Sequence, residues 1–313
     1  MTVINNPNCI LKAGNTGVPE CTIDPKEIIG AILIPATLAL TTTDIETTGL
    51  VSVLQTKSIL EAVSARVFPF YGFEEIADNS EDIVKVTRGY GNTRVTRDGK
   101  YNWTFTFTEG GVMYNKELRK FNFVQDRKVL FVDKTNNIWG VSDGAAGMKG
   151  ISLDYVHFKP WKVNDASTPT SMMVEFGMAN ASELNDEVVF VATGENLPEV
   201  LKGCLDVTLT KIASAATTIT IKLATKYGQV DLYDFYSTEI AANAAWLVTK
   251  AGVVVTPVST AAVAATKSWL ITLTAPTGAH VFALEDPTAL AVLNVGGTPE
   301  VGYEGDNTIS HTF

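Results

Sequence analysis

The stretch YNWTFTF, residues 101–107, puts Tyr101, Trp103, Phe105 and Phe107 at one parity and Asn102, Thr104 and Thr106 at the other. Successive side chains of a strand point to opposite faces, so the four aromatics share one face of a sheet. Four neighbouring aromatics left in water on one strand would be an aggregation hazard. The stripe therefore predicts a β-rich domain with this face in its core. The competing reading is an exposed platform that stacks sugars or bases. If the aromatics are core, Thr104, Thr106 and Thr108 form the side turned to a channel or solvated groove.

The flanking segments fit a sheet closed by a helix. After the turn Glu109-Gly110-Gly111, Tyr114, Leu118 and Phe121 fall at i, i+4 and i+7, which predicts a short amphipathic helix over the same face, with Asn115 as a candidate cap. RKVLFVDKTNNIWG reads as two apolar strands joined by a turn at 133–137. Strands are also expected at 28–34, 50–54, 83–87, 150–158, 170–177 and 187–192, and a helical pattern runs through Ile59, Leu60, Val63 and Val67. Asp98-Gly99 between alternating segments is a hairpin signal. Residues 1–24, rich in Asn, Gly, Pro and Thr, read as an extended N-terminal arm. From about residue 203, Thr, Ala and Val dominate, and short strands recur at even intervals with Trp246 and Trp269 among their apolar positions. That cadence predicts a small antiparallel sandwich with its own core. The division is 1–24, 25–202 and 203–313.

Charge narrows the function classes. The 313 residues carry a formal net charge of −10 and a pI near 4.9. Lys and Arg number five against nine acids over 203–313, and nineteen against twenty-five over 1–202. Neither half is basic, which argues against a protein built to clamp phosphates. The longest apolar run, 28–40, contains Pro35 and is too short to span a bilayer, and the N-terminus lacks the pattern of a secretory signal.

The search for chemistry returns turns and solvated loops. Cys9, Cys21 and Cys204 form no CxxC pair, and His157, His280 and His311 lack metal-ligand spacing. GYGNTR at 89–94 has Arg94 where a dinucleotide fingerprint needs its third glycine. Glu74, Glu75, Asp78, Glu81 and Asp82 form an acidic cluster without the order of a calcium loop, and read as a solvated loop. Asp154 and His157, three apart on a strand, point to opposite faces, and no nucleophile accompanies them. No catalytic, cofactor-binding or metal residue is assigned, no cofactor is expected, and the chain is read as a non-enzyme.

The order of elements resembles phage major tail tube proteins and related virion structural proteins, in the style of those encoded by phages and prophages of gut Bacteroidetes. It runs from an irregular N-terminal arm through an acidic loop and long hairpin to a short helix after FTFTEGG, then RKVLFVDKTNNIWG, and spans residues about 25–200. The resemblance implies a mainly β fold: a tail-tube-like, barrel-forming β-sandwich with one or two short helices, followed by a small immunoglobulin-like β-sandwich decoration. It implies hexameric rings whose inner sheets join into a channel, stacked into a tube that conducts DNA during ejection. The implied partners are further copies of the chain, other tail proteins, and passing DNA without specific binding, with no membrane. The implied location is the tail of the virion, after synthesis in the host cytoplasm. The alternatives are a carbohydrate-binding or adhesive, receptor-binding β-sandwich module, or another head, neck or tail component.

Overall fold

The computed structural model describes residues 9–10, 20–21, 27–60, 62–108, 110–145, 147–163, 170–296 and 301–313. Strands dominate, at 46% against 22% helix, in several sheets, one of them partly curled. The chain divides into two compact units, Met1–Val53 with Val67–Pro198, and Leu54–Arg66 with Glu199–Phe313. Residues 54–66, read from sequence as part of the 25–202 domain, thus pack within the second unit. The N-terminal arm expected at 1–24 lies outside the described residues, except that β1 (Cys9–Ile10) and β2 (Glu20–Cys21) pair antiparallel.

The first unit is organised by β3 (Ile28–Pro35), an apolar run with seven of its eight residues, all but Ile29, buried. Such a run suits a strand covered on both faces, and Pro35 ends it. The sheet continues with β4 (Ala39–Leu40), β5 (Phe68–Tyr71) and β6 (Phe73–Asp78). Glycine at position 30 lets β5 approach: a Cβ there would sit 2.4 Å from the Tyr71 ring and 2.8 Å from the Phe70 carbonyl oxygen. Between β4 and β5, the segment expected as a strand at 50–54 is instead α1 (Leu50–Ser58). Leu50, Val51, Leu54 and Ser58 are buried, a helical spacing that outweighs the β-branched local composition.

β7 (Val84–Arg88) and β8 (Asn92–Arg97) form a sheet of their own. The main sheet resumes with β9 (Asn102–Phe107), α2 (Gly111–Leu118), β10 (Arg127–Asp133) and β11 (Asn137–Ser142). It ends with β12 (Met148–Lys149), β13 (Ile151–Phe158), β14 (Met172–Met178), α3 (Ala181–Asp186) and β15 (Val188–Ala192). Its order is β4-β12-β11-β10-β13-β14-β9-β6, with β3 on β10, β5 on β3 and β15 on β11. Every pairing is antiparallel.

The aromatic stripe is core. Trp103, Phe105 and Phe107 are buried with Phe73, Phe131 and Phe176, and Tyr101, Tyr114 and Phe121 pack against them. Phe105 stacks on Phe73 at 4.5 Å and meets Phe131 and Phe176 at 5.6 and 5.9 Å. On the opposite parity the solvated-face expectation fails at Thr104, which is only 6% exposed and whose hydroxyl accepts from Asn79 Nδ2 at 3.1 Å, while Asn102, Thr106 and Thr108 are half-buried. Asn115 is not a cap either. It lies inside α2, buried, and donates to the Lys159 carbonyl at 3.2 Å, while Gly110 in the left-handed region precedes the helix. The 133–137 turn is built by the buried Asp133 carboxylate. It accepts from the backbone N–H of Thr135 and Asn137 at 2.9 Å and from Trp139 Nε1 at 3.0 Å.

The second unit opens with α4 (Leu197–Val200) spanning the division, then β16 (Cys204–Ser214), β17 (Thr218–Thr225) and α5 (Tyr233–Tyr236). β18 (Trp246–Lys250), β19 (Val253–Val254), β20 (Ser259–Val263), β21 (Ser268–Thr272) and β22 (Ala279–Leu284) follow. The last elements are α6 (Pro287–Val292), β23 (Gly302–Gly305) and β24 (Ile309–Thr312). Two sheets, β20-β21-β17-β16-β23 and β19-β18-β22-β24, share one apolar cluster containing Trp246, Trp269 and Phe282. β17 shows the strict alternation of a half-buried strand, with Ile219, Ile221, Leu223 and Thr225 inward. The expectation of a purely antiparallel arrangement fails at β16 and β23, which run parallel. Residues 54–66 belong here through contact: Arg66 pairs with Glu304 at 2.6 Å, and Gln55 donates to the Val200 carbonyl at 2.8 Å. Residues 25–202, expected to carry one or two short helices, hold four, α1 to α4, among the described residues.

Candidate interaction surface

The residues singled out for chemistry do not converge. Asp154 pairs with Lys100, and the His157 ring lies 5.2 Å from that of Phe123. The Cys204 thiol donates to the Ser58 carbonyl, and burial pushes it up to about 12, which makes it a poor nucleophile. The structure does bring together two histidines that sequence keeps apart, since His280 and His311 are partners across β22 and β24. Among the described residues, however, no group of three or more His, Cys, Asp or Glu could hold a metal ion. The acidic cluster is only partly a loop, because Glu74, Glu75 and Asp78 lie on β6. Among the described residues no helix is long and apolar enough to cross a membrane.

One polar network sits on the β13-β14-β9 sheet. Glu175 accepts from Tyr155 Oη at 2.7 Å and Asn102 Nδ2 at 2.9 Å, and pairs with Lys159 at 2.9 Å. These hydrogen bonds, Tyr155 first, hold its carboxyl down to about 2, while burial pushes the Tyr155 phenol up to about 12. All of these donors are satisfied within the sheet, so the network works as a cross-strand clasp.

The β7–β8 hairpin is different in kind. Its register pairs Lys85 with Val95, Val86 with Arg94, Thr87 with Thr93 and Arg88 with Asn92, so the turn is Gly89-Tyr90-Gly91. Asp98-Gly99, expected as the hairpin turn, instead links the ribbon to β9. The tighter turn wins because Tyr90 and Gly91 adopt the positive φ values, 66° and 78°, of a twist-matched two-strand connection. All residues from Lys85 to Arg97 are exposed, including Val86 at 44%, Val95 at 55% and the turn residue Tyr90.

Cross-strand partners share a face, as the Thr87 and Thr93 hydroxyls show by lying 3.3 Å apart. Arg94 therefore lies with Val86, and Arg88 with Asn92, on the opposite face from the two threonines. Beyond a bulge, Arg97 pairs with Val84 on that same face. Three of the chain's arginines thus line one side of the ribbon. Arg97 meets Glu81 at 3.3 Å across two well-exposed side chains, while Lys85, Arg88 and Arg94 form no ion pair among the described residues.

Counting charge over halves of the chain hid this feature. Residues 73–83 hold five acids and no base, and 84–97 hold four bases and no acid, a two-block pattern legible in the sequence. Comparison of the chain with protein-family models and with curated proteins gives no match.

Proposed function

We propose that this protein is a self-assembling virion structural protein of the tail-tube kind. In this reading the first unit is the barrel-forming domain, and the second is an immunoglobulin-like decoration. The observation that carries the proposal is the exposed ribbon. A two-stranded hairpin is at best marginally stable alone in water, and this one presents Val86, Val95 and Tyr90 without a core beneath them. Such an element suits a surface that another molecule covers. Support also comes from β6, which among the described residues ends the main ladder with one edge unpaired. The burial of Trp103, Phe105 and Phe107 removes the stacking platform on which the carbohydrate-binding alternative drew.

The test is the state of the purified protein. Sedimentation velocity over a hundredfold concentration range, with negative-stain microscopy of the same samples, should show rings or tubes growing from monomer. A single monomeric species at every concentration would overturn the reading.

A further inference from the structure

We infer that the arginine face of the β7–β8 ribbon docks on the acidic terminal strand β6 of a second copy of this chain. The inference rests on the self-assembly reading and adds its chemistry. The ribbon offers Arg88, Arg94 and Arg97 on one face. The β6 strand offers Glu74, Glu75 and Asp78, all exposed, and residues 73–83 contain no base to neutralise them.

The two charged segments match in length. The arginines stand at the levels of Val84, Val86 and Arg88, four residues apart end to end, or about 13 Å at the rise of a strand. Glu74 to Asp78 is also four residues, about 13 Å, but with Glu74 at a bulge, Glu75 opposite Thr106 and Asp78 opposite Trp103, so these carboxylates flank both sides of the strand rather than lining one face. Guanidinium groups form two-pronged hydrogen bonds with carboxylates, which adds directionality to the attraction between the two charged segments. Among the described residues β6 ends its sheet, and its unpaired backbone edge is open to the same partner. The Arg97–Glu81 pair within one copy is exposed and weak, and can exchange for a contact between copies.

A phosphate polymer is the other polyanion an arginine ribbon fits. The carboxylate strand is favoured over it because every copy of the chain carries one acidic β6 for each ribbon.

The experiment is a charge exchange in the full chain. Arg88→Glu with Arg94→Glu, and separately Glu74→Arg with Glu75→Arg, should each weaken self-association at least about tenfold, and the four changes together should restore it. Wild-type association should also weaken from 50 to 500 mM salt. Unchanged melting of each variant separates these effects from misfolding. If wild type assembles but neither set weakens it, or the combined variant stays dissociated, the pairing is wrong while the self-assembly reading stands. If wild type never associates, both fail. If the arginine variant assembles normally but loses binding to a 30-base-pair DNA duplex, the ribbon serves phosphate and the pairing is overturned.

Discussion

Replacing Phe105 by alanine tests whether the aromatic stripe is the structural centre of the first unit. Phe105 is fully buried and its ring meets those of Phe73, Trp103, Phe131 and Phe176. Removing a ring of about 150 Å² of buried apolar surface forfeits about 4 kcal/mol at ~25 cal/mol per Å². The lost ring pairs and the cavity add to this, while relaxation of the neighbours subtracts. The expected loss is therefore about 3–5 kcal/mol. Phe123→Ala is the matched control, since that ring is 69% exposed and its loss should cost under about 0.5 kcal/mol. The assay is urea unfolding of the full chain, followed by far-ultraviolet circular dichroism and tryptophan fluorescence so that separate transitions of the two units are seen. A loss below 1 kcal/mol for Phe105→Ala, or an equal loss for Phe123→Ala, would refute the core assignment.

Asp133→Ala should cost at least about 3 kcal/mol, because it strips the acceptor from two backbone N–H groups and the buried Trp139 indole; urea midpoints read the loss. Thr104→Lys should destabilise by more than about 2 kcal/mol, since a cation would replace a 6% exposed hydroxyl, and a melting temperature like the parent's would contradict the burial. Glu175→Gln should lower stability near neutral pH. The native carboxyl is held near 2 against an ordinary 4.5, so its stabilisation is present above about 4.5 and fades as pH falls toward 2; the gap between parent and variant in urea should close over that window. A fragment of residues 203–313 should melt less cooperatively than the intact second unit, and adding a peptide of residues 54–66 should raise its midpoint, because Ile59 packs against Gly302 and Arg66 pairs with Glu304.

The fold was legible wherever local pattern and burial agree. Alternation in 101–107, the eight-residue run of β3 and the β10–β11 hairpin all report a side chain's own environment, and sequence periodicity carries that directly. Reading failed where a distant partner decides the outcome. Residues 50–54 are rich in β-branched residues, yet α1 forms because its buried face needs Leu50, Val51 and Leu54 together. Thr104 looks like a water-facing residue until Asn79, twenty-five positions away, covers it. The parallel pairing of β16 with β23, and the return of residues 54–66 to the second unit, depend on contacts between residues about a hundred or more positions apart. No window of periodicity contains them.

The candidate interaction surface was missed for a different reason, one of length scale. Whole-chain charge decides long-range repulsion, but at physiological salt the field of an exposed charge decays over about 8 Å. The ribbon's ladder is about 13 Å long, so its outer arginines act largely apart from the −10 of the chain. A partner within a few ångströms of Arg88 meets local charge of the opposite sign to the average. The same holds in reverse at Glu74 and Glu75 on β6. In the proposed pairing, copies repel one another at a distance and attract only when ribbon and strand meet. Association should therefore pass through an optimum in salt. Very low ionic strength strengthens the net repulsion of like-charged copies, and high ionic strength erases the ladder. A self-association constant that rises without limit as salt is removed would mean that the net charge has little say and that the local ladders act alone.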